Sequence, residues 1–537
     1  MEAAKIVKRP PTVRAVKNSG YSEGGASYSK NALKGMIPNS RAPWEDIDDN
    51  NHTLRQRSRM LYMASPVAAS AIKTNRTNVV GNGLKLKSTI NRTALGMSQE
   101  QAEEWQKKTE AEFNLWASKK NACDATGTND FYGLQQLALM SWLMSGDVFG
   151  LIKHYETTSL NPYSLRIHLI EADRVRTPVE DAFGVITNSR GKTESGNQIF
   201  DGVEVDKNGM VVAYYVANNY PFESTIAPTD YVRVKAYGDK TGLPNILHVM
   251  DSERPDQYRG VPYLAQAIEP VLQMNRYTNA EIMAAVVQSF QTAFITSESN
   301  TNEIPFNEAI PEEEQIDYGE NDYEMGPGTI NYMRPGEDIR FNTPTHPNSG
   351  FDVFSNALFK QIGACTEVPK DLLLKEFNSS YSASRAALLE AWKAFRMRRT
   401  WLTNDFCKPI YEIWLTEAVA RGRVVAPGFL TDPLIRQAYL ESEWIGAPMG
   451  MLDPTKELQA AQMAIEMGLS THEQEAIKLN GSEFGTNIDK LTIENQKKAA
   501  ANGAKPPEIG EVFTNFIRKT IENTVESEVK KQNEIQE

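Results

Sequence analysis

The 537-residue chain carries 57 Lys and Arg against 69 Asp and Glu, a formal charge of −12, which argues against a tight grip on nucleic acid, since such binding needs many phosphates neutralised by basic side chains. Its length exceeds what one core supports, so more than one lobe is expected, and no apolar stretch approaches the roughly 18 residues of a membrane span. Cys123, Cys365 and Cys407, odd in number and far apart, exclude a disulfide framework, and the opening Met1-Glu2-Ala3-Ala4-Lys5 lacks the apolar centre of a secretory signal, so a cytoplasm is the expected place of assembly.

Residues 1–40 are rich in Lys, Arg, Gly and Ser with little apolar periodicity. They read as a basic arm, with a tail of no particular role as the alternative. Helical patterning begins at Asp48, and Ser65-Pro66 supplies an N-cap and first-turn pair for a helix expected to stop at Gly81. Ser98 and Gln101 have capping-box spacing ahead of Trp105, Phe113 and Trp116, while Leu134, Leu137, Ser141 and Met144 mark one face of another helix. Beyond Val148 the period becomes two. Leu165, Ile167 and Leu169 alternate, and Asn208-Gly209 is expected to fold residues 202–206 against 210–217 as a hairpin.

After Arg254-Pro255 a helical segment opens at Pro262 and carries Leu264, Ile268, Leu272, Ile282 and Val286, with Pro270 expected to kink or restart it. Residues 292–350 hold six prolines and an acidic run, which indicates a compact strand-and-loop excursion. Helical pattern resumes at Phe351, with Phe354, Leu358, Ile362 and Cys365 on one face. A loop from Val368 to Tyr381 then precedes the longest helical stretch, in which Leu388, Trp392, Phe395, Leu402 and Phe406 recur and which should reach about Ala420. Asp453-Pro454 caps a later helix, Ser470 with Glu473 boxes the next, and Phe513, Ile517, Ile521 and Val525 stripe a last one. The chain is therefore expected to be α+β.

A search for catalytic chemistry returns little. Gly20-Tyr21-Ser22-Glu23-Gly24 matches the nucleophile-elbow string, but it sits in the basic arm without the strand and helix that such an elbow requires. Gly191-Lys192-Thr193 ends like a phosphate-binding loop, yet Gly184 is too far from Gly191 for the motif. The six histidines show no metal-ligand spacing. The acidic run Glu312, Glu313, Glu314, Asp317, Glu320, Asp322 and Glu324 lacks the ligand order of a calcium loop, leaving a solvated or inter-subunit face. Arg396, Arg398 and Arg399 alternate with an apolar stripe, which suits a solvated face or ion pairs to a neighbouring copy better than a DNA-contacting helix. No catalytic residue, metal or cofactor is expected.

Several strings stand out along the chain, in this order. They are Asn78-Val79-Val80-Gly81-Asn82-Gly83-Leu84, Leu169-Ile170-Glu171-Ala172-Asp173-Arg174-Val175 and Gly202-Val203-Glu204-Val205-Asp206. His248 to Leu264 follows, with Arg254-Pro255, Gln257 and Arg259-Gly260-Val261-Pro262 at its centre, then Tyr381 to Leu388 with Trp392, and Asp453-Pro454-Thr455-Lys456-Glu457. In this order they resemble segments of lambda-family phage portal proteins, and the similarity spans about residues 45–485. Two departures fall beside one loop: Glu367 stands where a glycine is expected, and Ala383 where a serine is.

The resemblance implies a ring-forming portal fold in which 1–40 is a flexible arm and 41–260 an α+β wing. Residues 261–291 and 351–367 would be two stem helices around a small α/β clip at 292–350. Residues 368–381 would be a tunnel loop, 382–430 a long wing helix, and 431–537 a mostly helical crown and tail. It further implies a twelve-subunit ring at one capsid vertex of the virion, assembled in a bacterial host cytoplasm and forming the channel for packaging and ejection of double-stranded DNA. The implied partners are a terminase large-subunit ATPase, the major capsid and scaffold proteins, and head-completion or tail connector proteins. Lys370, Lys375, Asn378, Ser379 and Ser380 would face the DNA, in weak and non-specific contact, and the acidic run would lie on the clip. The competing readings are another head or neck protein, such as a capsid subunit or adaptor, and a serine hydrolase built on Ser22.

Overall fold

A computed structural model of the chain describes residues 25–28, 30–178, 190–221, 223, 229–289, 293–295, 330–332, 350–377, 380–451 and 453–502. The Ser22 string, the seven acidic residues from Glu312 to Glu324, Asn378, Ser379 and the stripe from Phe513 to Val525 lie outside them. Among the described residues, no helix is long and apolar enough to cross a membrane, and no cluster of side chains could hold a metal ion.

The N-terminal half begins helical: α1 (Pro43–Asp46), α2 (Asp48–Ala64) and α3 (Pro66–Asn75). Pro66 opens α3 as expected, but the Ser65 side chain makes no cap bond, and its buried hydroxyl has no partner among the described residues. A wide turn at Arg76–Val80 carries the chain on to Gly81, whose φ of 59° ends the run. Strand β1 (Lys85–Ser88) and α4 (Arg92–Leu95) lead to α5 (Gln99–Ala117), where the Ser98 hydroxyl and Gln101 side chain form the anticipated reciprocal box. After α6 (Lys120–Cys123) comes α7 (Phe131–Ser145), which buries Leu134 and Ser141 but leaves Leu137 exposed.

The strands follow: β2 (Asp147–His154), β3 (Leu165–Glu171), β4 (Arg190–Lys192), β5 (Gln198–Phe200), β6 (Val203–Val205), β7 (Val211–Ala217), β8 (Tyr231–Lys235) and β9 (Ile246–Met250). They form two antiparallel sheets, in the orders β3-β2-β9 and β4-β5-β6-β7-β8. The β6–β7 hairpin turns at Gly209 (φ 85°), where the Asp206 carboxylate accepts from the backbone N–H of Asn208 and Met210. Gly191 lies inside β4, so no helix N-terminus follows it to cradle a phosphate. A cluster of Phe149, Val203, Phe200, Tyr214 and Val216 fills the space between the sheets.

The helix expected from Pro262 starts later, as α8 (Ile268–Ser289), after a single turn at Ala265–Ala267. Pro270 falls in the first turn of α8, where its missing N–H has no intrahelical role. Strands β10 (Ala293–Ile295) and β11 (Ile330–Tyr332) pair in parallel, and α9 (Phe351–Cys365) then packs on α8 through Tyr277, which stacks on Phe351 at 5.3 Å. Next come α10 (Lys370–Leu374) and α11 (Tyr381–Leu402), a widened turn at Thr403–Cys407, and α12 (Lys408–Ala420). Helix therefore reaches Ala420, and the widening precedes Pro409, whose missing N–H cannot serve an i−4 carbonyl.

The chain closes with α13 (Pro433–Leu440), β12 (Ser442–Ile445), α14 (Pro454–Glu466), α15 (His472–Asn480) and α16 (Phe484–Asn502). Asp453 caps α14, but the box before α15 is Thr471 with Gln474, one residue beyond the expected Ser470 with Glu473. Glu473 is drawn away by an ion pair with Lys87 and by the Phe484 N–H at 2.9 Å. Strand β12 pairs antiparallel with β1 and returns the late helices to the first lobe. Phe113, Phe131, Phe406, Tyr411, Trp414 and Trp444 form the aromatic centre of the main core.

Candidate nucleic-acid interface

Pro369 cannot continue α9, and the residue before a proline avoids helical geometry, so the chain must turn between Cys365 and Lys370. The Thr366 hydroxyl donates to the Ile362 carbonyl at 2.6 Å, and the Val368 N–H to the Gly363 carbonyl at 3.1 Å. A Cβ on Gly363 would lie 2.8 Å from the Val368 oxygen, so this tight return requires glycine. Glu367, at the peak of the turn, has φ of 50°. That is the left-handed region in which glycine is comfortable and other residues are strained, which accounts physically for the glycine expected at this position.

The expected loop from Val368 to Tyr381 contains a short helix. Leu373 in α10 is buried and its carbonyl accepts from Ser70 in α3 at 2.6 Å. Lys375 ends α10 with φ of 59°, and its ammonium donates to Thr74 at 2.7 Å. Burial of that side chain lowers its pKa below the ordinary lysine range. Lys370 is half-buried, and no ion pair engages it among the described residues. The Ser380 hydroxyl accepts from the Ala383 N–H at 3.4 Å and caps α11. The two lysines therefore differ: Lys375 is tied back to α3, whereas Lys370 remains available.

Behind this segment the Arg396–Arg399 stretch departs from expectation. Arg398 is buried and pairs with Glu367, donates to Asn75 at 3.0 Å and covers the Tyr263 ring at 4.8 Å. Tyr263 in turn donates to the Thr366 carbonyl. Arg399 donates to the carbonyls of Val79, Asn78 and Ala447, each at 2.8 Å. Two of the three arginines thus serve the subunit's own fold: Arg398 meets the Asn75 side chain and Glu367, and Arg399 meets carbonyls of the wide turn at Arg76–Val80 and that of Ala447. Only Arg396 is exposed.

At the root of α8 lies a network that sequence reasoning missed. Arg259 is fully buried and donates to Asp147 at 2.6 and 3.1 Å, to the Val175 carbonyl at 2.8 Å and to the Ala172 carbonyl at 2.9 Å; it also pairs with Asp201 at 2.8 Å. Arg55 of α2 donates to Asp201 at 2.9 Å and to the Ser145 carbonyl at 3.2 Å. Burial would raise the Asp147 carboxyl, but Arg259 and Arg55, with bonds from His248 and Arg259, outweigh it and hold the group far below the usual carboxylate range. Asp48 has the opposite fate: burial, and then Asp201, push it up to about 7 against the pull of both arginines. Gly146 and Gly260 touch here, and a Cβ on Gly260 would lie 1.9 Å from the Gly146 oxygen.

Three of the six strings singled out in the sequence meet in these networks, and two more pair with each other. Ala172 and Val175 present carbonyls to Arg259, Asn78 and Val79 present theirs to Arg399, and Arg385 pairs with Glu457 at 2.9 Å. A profile of phage portal proteins of the lambda family matches residues 29–399. The chain belongs to the lambda family of phage portal proteins.

Among curated relatives, portal protein B of Escherichia phage lambda is 24% identical over 515 residues, 91% of either chain. The portal protein of Escherichia phage N15 is 24% identical over 508 residues, 91% of this chain and 92% of its own. Among solved structures, the neck of a native GTA particle computed with C12 symmetry aligns at TM-score 0.37 and 12% identity, over 81% of this chain and 94% of the other. The virion of a native gene transfer agent particle aligns at TM-score 0.35 and 12% identity, over 84% and 99%. For this portal family member, the buried partners Asp147, Asp201, Arg55 and Asn75 carried no local signal, although Arg259 and His248, which bond Asp147, both fall in one of the resembling strings.

Proposed function

We propose that the chain assembles as a twelve-copy ring at one capsid vertex and lines the channel through which double-stranded DNA enters and leaves the head. The reading rests on the family match, and one structural observation carries the assembly. Helices α8 and α9 pack on each other yet leave Ile282, Met283, Val353 and Phe354 at least half exposed. An apolar face of this kind on paired helices suits a closed ring, in which one face of each subunit meets a different face of the next.

In that ring α8 and α9 act as the stem, the segment between them as the clip with its acidic run, and residues 368–381 as the tunnel segment. Lys370, Asn378, Ser379 and Ser380 offer DNA a sparse set of polar contacts, while Lys375 is engaged with Thr74. Few phosphate contacts and a net charge of −12 keep friction on a sliding duplex low. Force comes from a terminase ATPase docked on the clip, capsid and scaffold proteins hold the rim, and connector proteins follow the terminase. Mass photometry should show a particle near twelve times the 60.1 kDa subunit mass. A gel shift should show only weak binding of free linear DNA at physiological salt. A stable monomer, nanomolar DNA binding or ATP hydrolysis by the purified chain would contradict the proposal.

A further inference from the structure

Among the described residues, four other than glycine have positive φ, and two of them bracket α10: Glu367 at 50° and Lys375 at 59°. Backbone of this kind persists only where its surroundings over-determine it. Here the surroundings converge on one helix. Lys375 donates to the Thr74 hydroxyl at 2.7 Å, and Glu367 pairs with Arg398, which donates to the Asn75 side-chain oxygen at 3.0 Å. Between those ends Ser70 donates to the carbonyl of the buried Leu373 at 2.6 Å. The Asn75 amide also donates to the Tyr263 hydroxyl at 3.2 Å, and that hydroxyl donates to the Thr366 carbonyl. Ser70, Thr74 and Asn75 all belong to α3, with Ser70 and Thr74 four residues apart and so one above the other on a single face. The same helix buries Ala68, Ala71 and Ile72 in the main core, which makes it a rigid support.

We infer that α3 is the bearing of the tunnel segment: Ser70 and Thr74 directly, and Asn75 through Arg398, hold α10 against the core and so fix the place of Lys370 at its first turn. These three are positioning residues. The inference rests on the channel reading above and adds to it that the lysine end of the segment travels with α3 and is not a free loop. A helix of five residues has no stability of its own in water, so the ties to α3, more than its internal bonds, keep α10 in shape beside a sliding duplex.

Two readouts test this: hydrogen–deuterium exchange on the full chain, and photocrosslinking to DNA in filled heads from a benzophenone attached at position 370. Exchange over 371–376 should rise at least about ten-fold in Ser70→Ala combined with Thr74→Val, while α7 keeps its wild-type protection, which separates a freed segment from a lost fold. Cross-linking should fall at least about two-fold in the same variant. Thr74→Ser, which keeps the hydroxyl, should match wild type in both readouts, as should Lys73→Ala on the exposed side of α3. Lys375→Asn, which tolerates left-handed backbone but is too short to reach Thr74, should act in the same direction as the double variant and decides the case if that variant does not fold. Unchanged exchange, or faster exchange with undiminished cross-linking, would overturn the positioning role. Absence of any cross-link in the wild type, with exchange behaving as expected, would instead overturn the channel reading on which that role rests.

Discussion

Replacing Arg259 with methionine removes the centre of the buried network while retaining much of the side chain's volume. Asp147, with no exposed surface, would lose two charge-assisted hydrogen bonds and keep Arg55 at 3.8 Å and His248 at 3.4 Å. The carbonyls of Ala172 and Val175 would lose the donor that now reaches them. Breaking a buried pair from one side costs about 3–5 kcal/mol, a large share of the roughly 5–15 kcal/mol that holds a domain together. At about 2–4 °C per kcal/mol for a lobe of this size, calorimetry should show the unfolding transition falling by about 10 °C. Asp147→Asn should cost less on the Arg259→Met background than alone, by about 1–3 kcal/mol. A transition within about 3 °C of wild type would refute the view that this network secures the root of α8.

Asp48 predicts a pH dependence. Its folded pKa, about 7 against the ordinary 3.8, means that the native state holds the proton more tightly. The stabilisation is fully present below about pH 4 and lost as pH rises to about 7. Unfolding free energy should therefore fall across that window by up to about 4 kcal/mol, read as a falling thermal midpoint, and Asp48→Asn should flatten the decline and exceed wild type at pH 8; an unchanged slope would remove Asp48 as its source. At Glu367, alanine and glycine both delete the pair with Arg398, but only glycine accepts φ of 50°. Glu367→Gly should be more stable than Glu367→Ala by about 1 kcal/mol, and equal midpoints would show that the turn is not strained. Gly260→Ala places a methyl against the Gly146 carbonyl and should cost at least about 3 kcal/mol, visible as loss of soluble protein; normal yield and midpoint would mean that the two backbones can part.

Legibility followed sequence distance. Ser98 with Gln101, Asp453-Pro454 and Asn208-Gly209 act over three or four residues, and each shapes the element it predicts. Asp147 and Arg259 are 112 residues apart, and an aspartate after a helix gives no sign of its partner. Ser470 with Glu473 and Thr471 with Gln474 satisfy the same capping pattern, and the distant Lys87 selects between them. The Arg396–Arg399 stretch shows helical spacing, but which arginine turns inward depends on carbonyls some 320 residues earlier. At the candidate interface, the break between α9 and α11 was legible in the helical spacing on either side of it, but the short helix α10 within it was not. The tether of Lys375 to Thr74, 301 residues away, was not.

In the proposed ring, copies of this chain close around a DNA path lined by residues 368–381. Electron micrographs of the purified, assembled protein test it most directly. End-on views should show twelve repeats around an axial hole, with label attached at Lys370 lying at the edge of that hole. A closed shell, a ring of another size, or label at the outer rim would contradict it.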